Sequence, residues 1–220
     1  MAIAYDTLTA STVSSASSKT VSHTCSGSDR LLFVFGYVEG GKTMTATYAG
    51  NAMTELAYRD MNYSPNHRLY LFYQTNPASG ANDIVTTNSG SAYTWCAGMS
   101  YTGAAQSSPI DVSGSTNSSA STTVNIPLTL TTSDGWIICC SWHDNGGSLA
   151  GELDTATTRG TLNGAAIFVD SNGTKASGSR TARTTAATGG TVGIAAAFKI
   201  ATVATSVKDM IGSGFIPYAR

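Results

Sequence analysis

The chain has 220 residues, with 12 Lys and Arg against 13 Asp and Glu, and 60 of its residues are Ser or Thr. A net charge of −1 with no basic stripe provides no footprint for the phosphate contacts on which nucleic-acid binding depends. No apolar run approaches the ~18 residues of a membrane span, and 41% hydrophobic residues exclude a disordered chain and suffice for one β domain of this length.

Residues 3–24 alternate small polar and apolar side chains, as an edge strand or two short strands do. Ser26-Gly27-Ser28-Asp29 is a turn, and residues 30–38 read as a central strand buried on both faces. Gly40-Gly41 turns the chain into a strand over 43–48. Gly50-Asn51 then closes a hairpin onto 52–58, because both residue types tolerate positive φ. A polar loop over 59–66 precedes the clearest alternating strand, 67–75, and Asn76-Pro77-Ala78-Ser79-Gly80 is a strong turn signal. Strands follow at 82–87 and 93–101. The Ser-, Gly- and Asn-rich segment 102–121 reads as a long loop. Later strands are expected at 122–131, 136–142, 165–169 and 192–200, with a helical turn near 203–211 and an extended tail from Gly212. No internal repeat is evident.

Short strands at this spacing predict an all-β fold, a two-sheet antiparallel sandwich of concanavalin A-like or jelly-roll type. The sandwich should span residues 1–201, with a C-terminal tail over 202–220. Cys25, Cys96, Cys139 and Cys140 lie in or beside strands without metal-ligand spacing, so they are expected to be reduced and buried, and no cofactor or metal is implied.

Four segments in order resemble a group of concanavalin A-like β-sandwich domains found in tailed-phage virion proteins and bacterial extracellular proteins. They are residues 22–32 (from Ser22-His23-Thr24-Cys25), residues 47–54 (from Thr47-Tyr48-Ala49-Gly50), residues 69–80 ending in Asn76-Pro77-Ala78-Ser79-Gly80, and residues 100–111 (from Ser100-Tyr101-Thr102-Gly103). The resemblance covers about residues 15–200. It implies a jelly-roll-like fold and a decoration, fibre or adhesion role. With no secretory signal at the N-terminus, the expectation is a virion component assembled in a host cytoplasm.

The motifs of catalysis are thin. Glu152 and Asp154 are two apart, so a strand would put both on one face, yet the third acid of a Glu-x-Asp-x-x-Glu glucanase pattern is replaced by Thr157. No Gly-x-Ser-x-Gly elbow occurs, and His23, His67 and His143 sit in unrelated contexts. The leading expectation is therefore a non-enzymatic virion protein that docks on capsid or other virion proteins and self-associates, as a trimer in a fibre. Phe215, Ile216, Pro217 and Tyr218 would form its tail anchor. The alternative is a module that binds host-surface glycans, with Tyr63, Trp142, His143 and Asp144 as candidate contacts and Tyr58, Trp95 and Trp136 as further aromatics.

Overall fold

The computed structural model describes residues 2–61 and 66–202. They form the expected all-β, two-sheet antiparallel sandwich, and no helix occurs among them. The helical turn expected near 203–211 and the tail beyond it lie outside the described residues.

In the N-terminal half, the long strand β8 (Gly80–Thr102) is the axis. β1 (Ala4–Ala10) and β2 (Ser14–Cys25) run along one side of it. β3 (Leu31–Val38) and β4 (Met44–Tyr48) run along the other. The two-residue β5 (Asn51–Ala52) extends β4, while β7 (His67–Thr75) flanks β3 and β6 (Thr54–Met61) flanks β7.

The C-terminal half repeats this plan, with one strand in place of β1 and β2 and none in place of β5. β9 (Ile110–Leu130) runs along one side of β14 (Gly178–Phe198), with β10 (Trp136–His143) and β11 (Ala150–Leu153) on the other. β13 (Ala166–Asp170) flanks β10, and β12 (Thr157–Leu162) flanks β13. Local irregularities repeat as well. The β6–β7 ladder slips between Glu55 and Ala57, and the β12–β13 ladder between Thr158 and Gly160. Asp29 (φ 50°) and Asp134 (φ 63°) hold the same turn, and Gly80 (φ 83°) and Gly178 (φ 114°) open the two axial strands. The two halves thus share one topology, a structural repeat that the sequence does not display.

Each axial strand bends midway. The β2–β8 register jumps between Ala16 and Ser18, and the β9–β14 register breaks around Gly189. Beyond the bend, the first part of β8 lies back over its own second part, so a methyl on Gly98 would strike Ile84 of the same strand. In the other half, a methyl on Gly114 would come within 2.9 Å of Ile126, also in its own strand. Each sheet therefore makes two layers, and the molecule has four.

Three apolar cores fill the spaces between these layers. Leu32, Val34, Tyr48, Phe72 and Ile84 form the first. Phe33, Phe35, Trp95, Phe168 and Phe198 lie in the central one, and Val124, Ile126, Ile137, Cys139 and Val169 in the third. The inner strands are buried on both faces, as β3 shows with all eight residues. The outer strands need only one apolar face, so Val124, Ile126, Leu128 and Leu130 alternate with polar residues or Pro127. Pro127 is tolerated because this part of β9 is an edge.

The inner layers meet across an approximate two-fold axis. The edge strand β6 lies beside β9, where Arg59 Nη2 donates to Asn117 Oδ1 at 2.9 Å. Its counterpart β12 lies beside β1, where Arg159 sits 4.1 Å from the Tyr5 ring centre. Such reciprocal contacts are what an isologous dimer makes, here within one chain.

Three other local expectations change. Residues 110–121, read as loop, are the first part of β9; most are half-buried, and they carry Ser, Gly and Asn without apolar alternation. Arg59, Asp60 and Met61 belong to β6 and not to a loop. β11, β12 and the first part of β14 lie where only turns were read.

Candidate functional site

The reactive side chains serve the interior. His143 ends β10 facing the third core; its Nε2 lies 3.0 Å from Ser141 Oγ, which lies 2.6 Å from Thr184 Oγ1. His23 faces the first core, its Nδ1 2.7 Å from Thr9 Oγ1. Burial pushes both imidazoles down to about 4, against a small opposing pull of Asp6 on His23, so both are neutral at pH 7. His67 Nδ1 bonds the Tyr37 hydroxyl. All four cysteines are free and buried, and burial raises Cys139 to about 12.

The candidate acids each face a cation. Glu152 Oε2 is 3.1 Å from Arg183 Nε, and Asp154 Oδ1 is 3.9 Å from both Lys175 and Arg180. Asp154 Oδ2 also accepts the Thr181 backbone N–H at 2.9 Å. This is a charge lattice over the outer layer of the C-terminal half.

Of the expected glycan contacts, Trp142 is half-buried and stacks on Tyr37 with centroids 4.4 Å apart, and Tyr37 in turn stacks on Trp95. The Trp142 indole N–H donates to Asp144 Oδ1 at 3.2 Å. These rings close one end of the central core, whereas His143 points from the other face of β10 towards Ser141 and Thr184, so the expected contacts do not share one surface. Trp95 and Trp136 are core residues. Tyr63, like Phe215, Ile216, Pro217 and Tyr218, lies outside the described residues.

Two open grooves indent the surface. One, of about 430 Å³, runs between Tyr73, Gln74 and Thr75 on β7 and Gln106, Ser108 and Pro109 in the connection between the halves. The other, of about 440 Å³, is lined by Tyr58, Arg59, Asp60 and Asn117 where β6 meets β9.

The second groove has the more defined chemistry. Tyr58 is 50% exposed, with the Arg68 guanidinium 4.7 Å from its ring centre. Arg68 is clamped by Asp60, Nε to Oδ1 at 2.5 Å and Nη2 to Oδ2 at 3.2 Å. Asn117 donates to the Asp60 carbonyl at 2.5 Å, capping the free edge of β6. Sequence reading had placed Tyr58 among the candidate aromatics and missed the other three, because residues 59–66 and 102–121 read as loops. Met61 and His67 bracket a longer connection here than Leu162 and Ala166 do in the other half.

Comparison with protein-family models, with curated proteins and with solved structures returned no match to this chain.

Proposed function

We propose that the protein is a non-enzymatic structural component of a tailed-phage virion, a capsid decoration, head-fibre or spike protein. It works by shape-complementary docking on other virion proteins or on copies of itself. The resemblance of its four segments to phage and extracellular sandwich domains supports this reading.

The observation that carries the reading is where the reactive groups lie. All three histidines and all four cysteines are buried and bonded or packed inside, and Glu152 and Asp154 face cations. The fold turns neutral Ser- and Thr-rich strand surface outward, as on β2 and the first part of β9. Three stacked apolar cores make that surface rigid, which suits a brick that must hold shape while partners pack on it.

The tail anchor is part of the proposal. Deleting residues 212–220 is the test: loss of incorporation into particles, with the melting transition unchanged, supports anchoring through Phe215, Ile216, Pro217 and Tyr218. Undiminished incorporation counts against it.

A further inference from the structure

The matching topology gives each surface feature of one half a counterpart in the other. Where the halves keep the same turns and bulges, equivalent positions can be compared residue by residue. The groove beside Tyr58 is such a place. By ladder register, Tyr58 and Arg59 correspond to Thr161 and Leu162, and Asn117 corresponds to Thr12. The C-terminal half thus has neither the ring nor the guanidinium at the equivalent end.

What remains unused in the groove defines the ligand. Asn117 is occupied at both ends, by Arg59 at Oδ1 and by the Asp60 carbonyl at its amide. The Asp60 carboxylate is held by Arg68, which neutralises it. Arg59 is exposed, and among the described residues it bonds only the neutral Asn117 side chain and pairs with no carboxylate, so its guanidinium fork has donors to offer a ligand. Beside it stands a half-exposed tyrosine ring, steadied from one side by Arg68. An aromatic face plus a forked cation suits a ligand with an apolar ring face and one planar anion.

We propose that this groove binds an acidic saccharide, the C–H face of a sugar ring lying on Tyr58 and its carboxylate accepting two N–H groups from Arg59. A single guanidinium matches one carboxylate. A nucleotide would bring more charge than the groove balances, and its base would seek a narrower apolar slot. This proposal goes beyond particle docking and stands or falls separately from it.

The test is calorimetric titration of the intact protein with a trigalacturonate oligosaccharide, and with a neutral galactose trisaccharide as comparison. The acidic sugar should bind and the neutral one at least about tenfold more weakly, the difference expected for one charge-assisted pair. Arg59→Gln and Tyr58→Ala should each lower affinity by about tenfold or more, whereas Thr161→Ala at the equivalent place should leave it unchanged. Raising salt should weaken binding by the wild-type protein, a readout that needs no variant. Absence of trigalacturonate binding, equal binding of the neutral sugar, or undiminished binding by both groove variants would each overturn the proposal.

Discussion

Asp6 and Asp111 perform one task at equivalent places in the two halves. Asp6 Oδ2 accepts the Ser26 backbone N–H at 2.9 Å and its Oδ1 the Ser26 hydroxyl; Asp111 Oδ2 accepts the Thr131 N–H at 2.9 Å and its Oδ1 the Thr131 hydroxyl. Each pair ties the first strand of its half to the end of the doubled-back strand. Burial pushes both carboxyls up, but the hydrogen bonds from Ser26 and Thr131 outweigh it and hold them below the usual range.

Asp6→Asn and Asp111→Asn should therefore destabilise by similar amounts, about 1 kcal/mol each for a partly exposed charge-assisted bond. Since the folded carboxyls titrate below the unfolded ones, their stabilisation is full above about pH 4 and lost as the pH falls through their folded values. Urea unfolding of the two variants checks this. A large effect of one and none of the other would contradict the equivalence.

Tyr101 carries a second tie, this time between halves. Its buried hydroxyl donates to Oδ2 of the fully buried Asp170 at 2.9 Å, and Arg159 Nε donates to the same oxygen at 2.8 Å. Tyr101→Phe should cost about 1–3 kcal/mol, because Asp170 loses a donor it cannot replace with water. Asp170→Asn should cost more, roughly 3 kcal/mol, since it also leaves Arg159 without its charge partner. A double-mutant cycle in urea should return coupling well above zero; additivity would refute the tie.

His23 and His143 make the fold acid-sensitive in a higher window. Both are held down to about 4 by burial, with Asp6 pulling His23 slightly up, against ~6.5 in the unfolded chain. Between those values the unfolded state binds more protons, so stability is full above about pH 6.5 and falls as the pH drops towards 4. At about 1.4 kcal/mol per unit, each imidazole removes up to roughly 3 kcal/mol. His143→Val, the residue found at the equivalent Val38, should flatten part of that slope while Ser141 and Thr184 keep their bond to each other. Unfolding midpoints that stay level from pH 7 to pH 4.5 would contradict both assignments.

Gly193 tests the doubling back of the C-terminal sheet. A methyl there would strike Val124 and approach Ile126 Cδ1 to 3.2 Å, both on the overlying layer. Val124 is β-branched and stiff, so Gly193→Ala should cost about 1–3 kcal/mol by overpacking. Gly80→Ala meets nothing within 4 Å and carries only its positive φ of 83°, so about 1 kcal/mol is expected. Thermal melts that rank the two in reverse would count against the four-layer packing.

Strands buried on both faces were the easiest to read in the sequence. The run Leu31 to Val38 and the alternation from His67 to Thr75 announce themselves through apolar content, and the turns at Asp29 and Gly80 through residue type. Edge strands did not, because Ser113 and Ser119 are exposed, Ser115 and Ser118 are only partly buried, and none carries an apolar signature. The shared topology of the halves was hidden for a related reason. Equivalent core positions keep burial but neither identity nor size, as in Leu31 and Trp136, Phe33 and Ile138, or Phe35 and Cys140. Only short traces survive, such as Ala-Ser-Gly at 78–80 and 176–178. The Tyr58 groove was half legible: an aromatic was visible, but Asn117 comes to it from the other half of the chain through a strand that reads as loop.

The most direct measurement is quantitative mass spectrometry of phage particles purified through a density gradient from cells making this protein. The account predicts a fixed copy number per particle that survives high-salt washing and fits a symmetric set of sites. Recovery of the protein only in the particle-free lysate would contradict it.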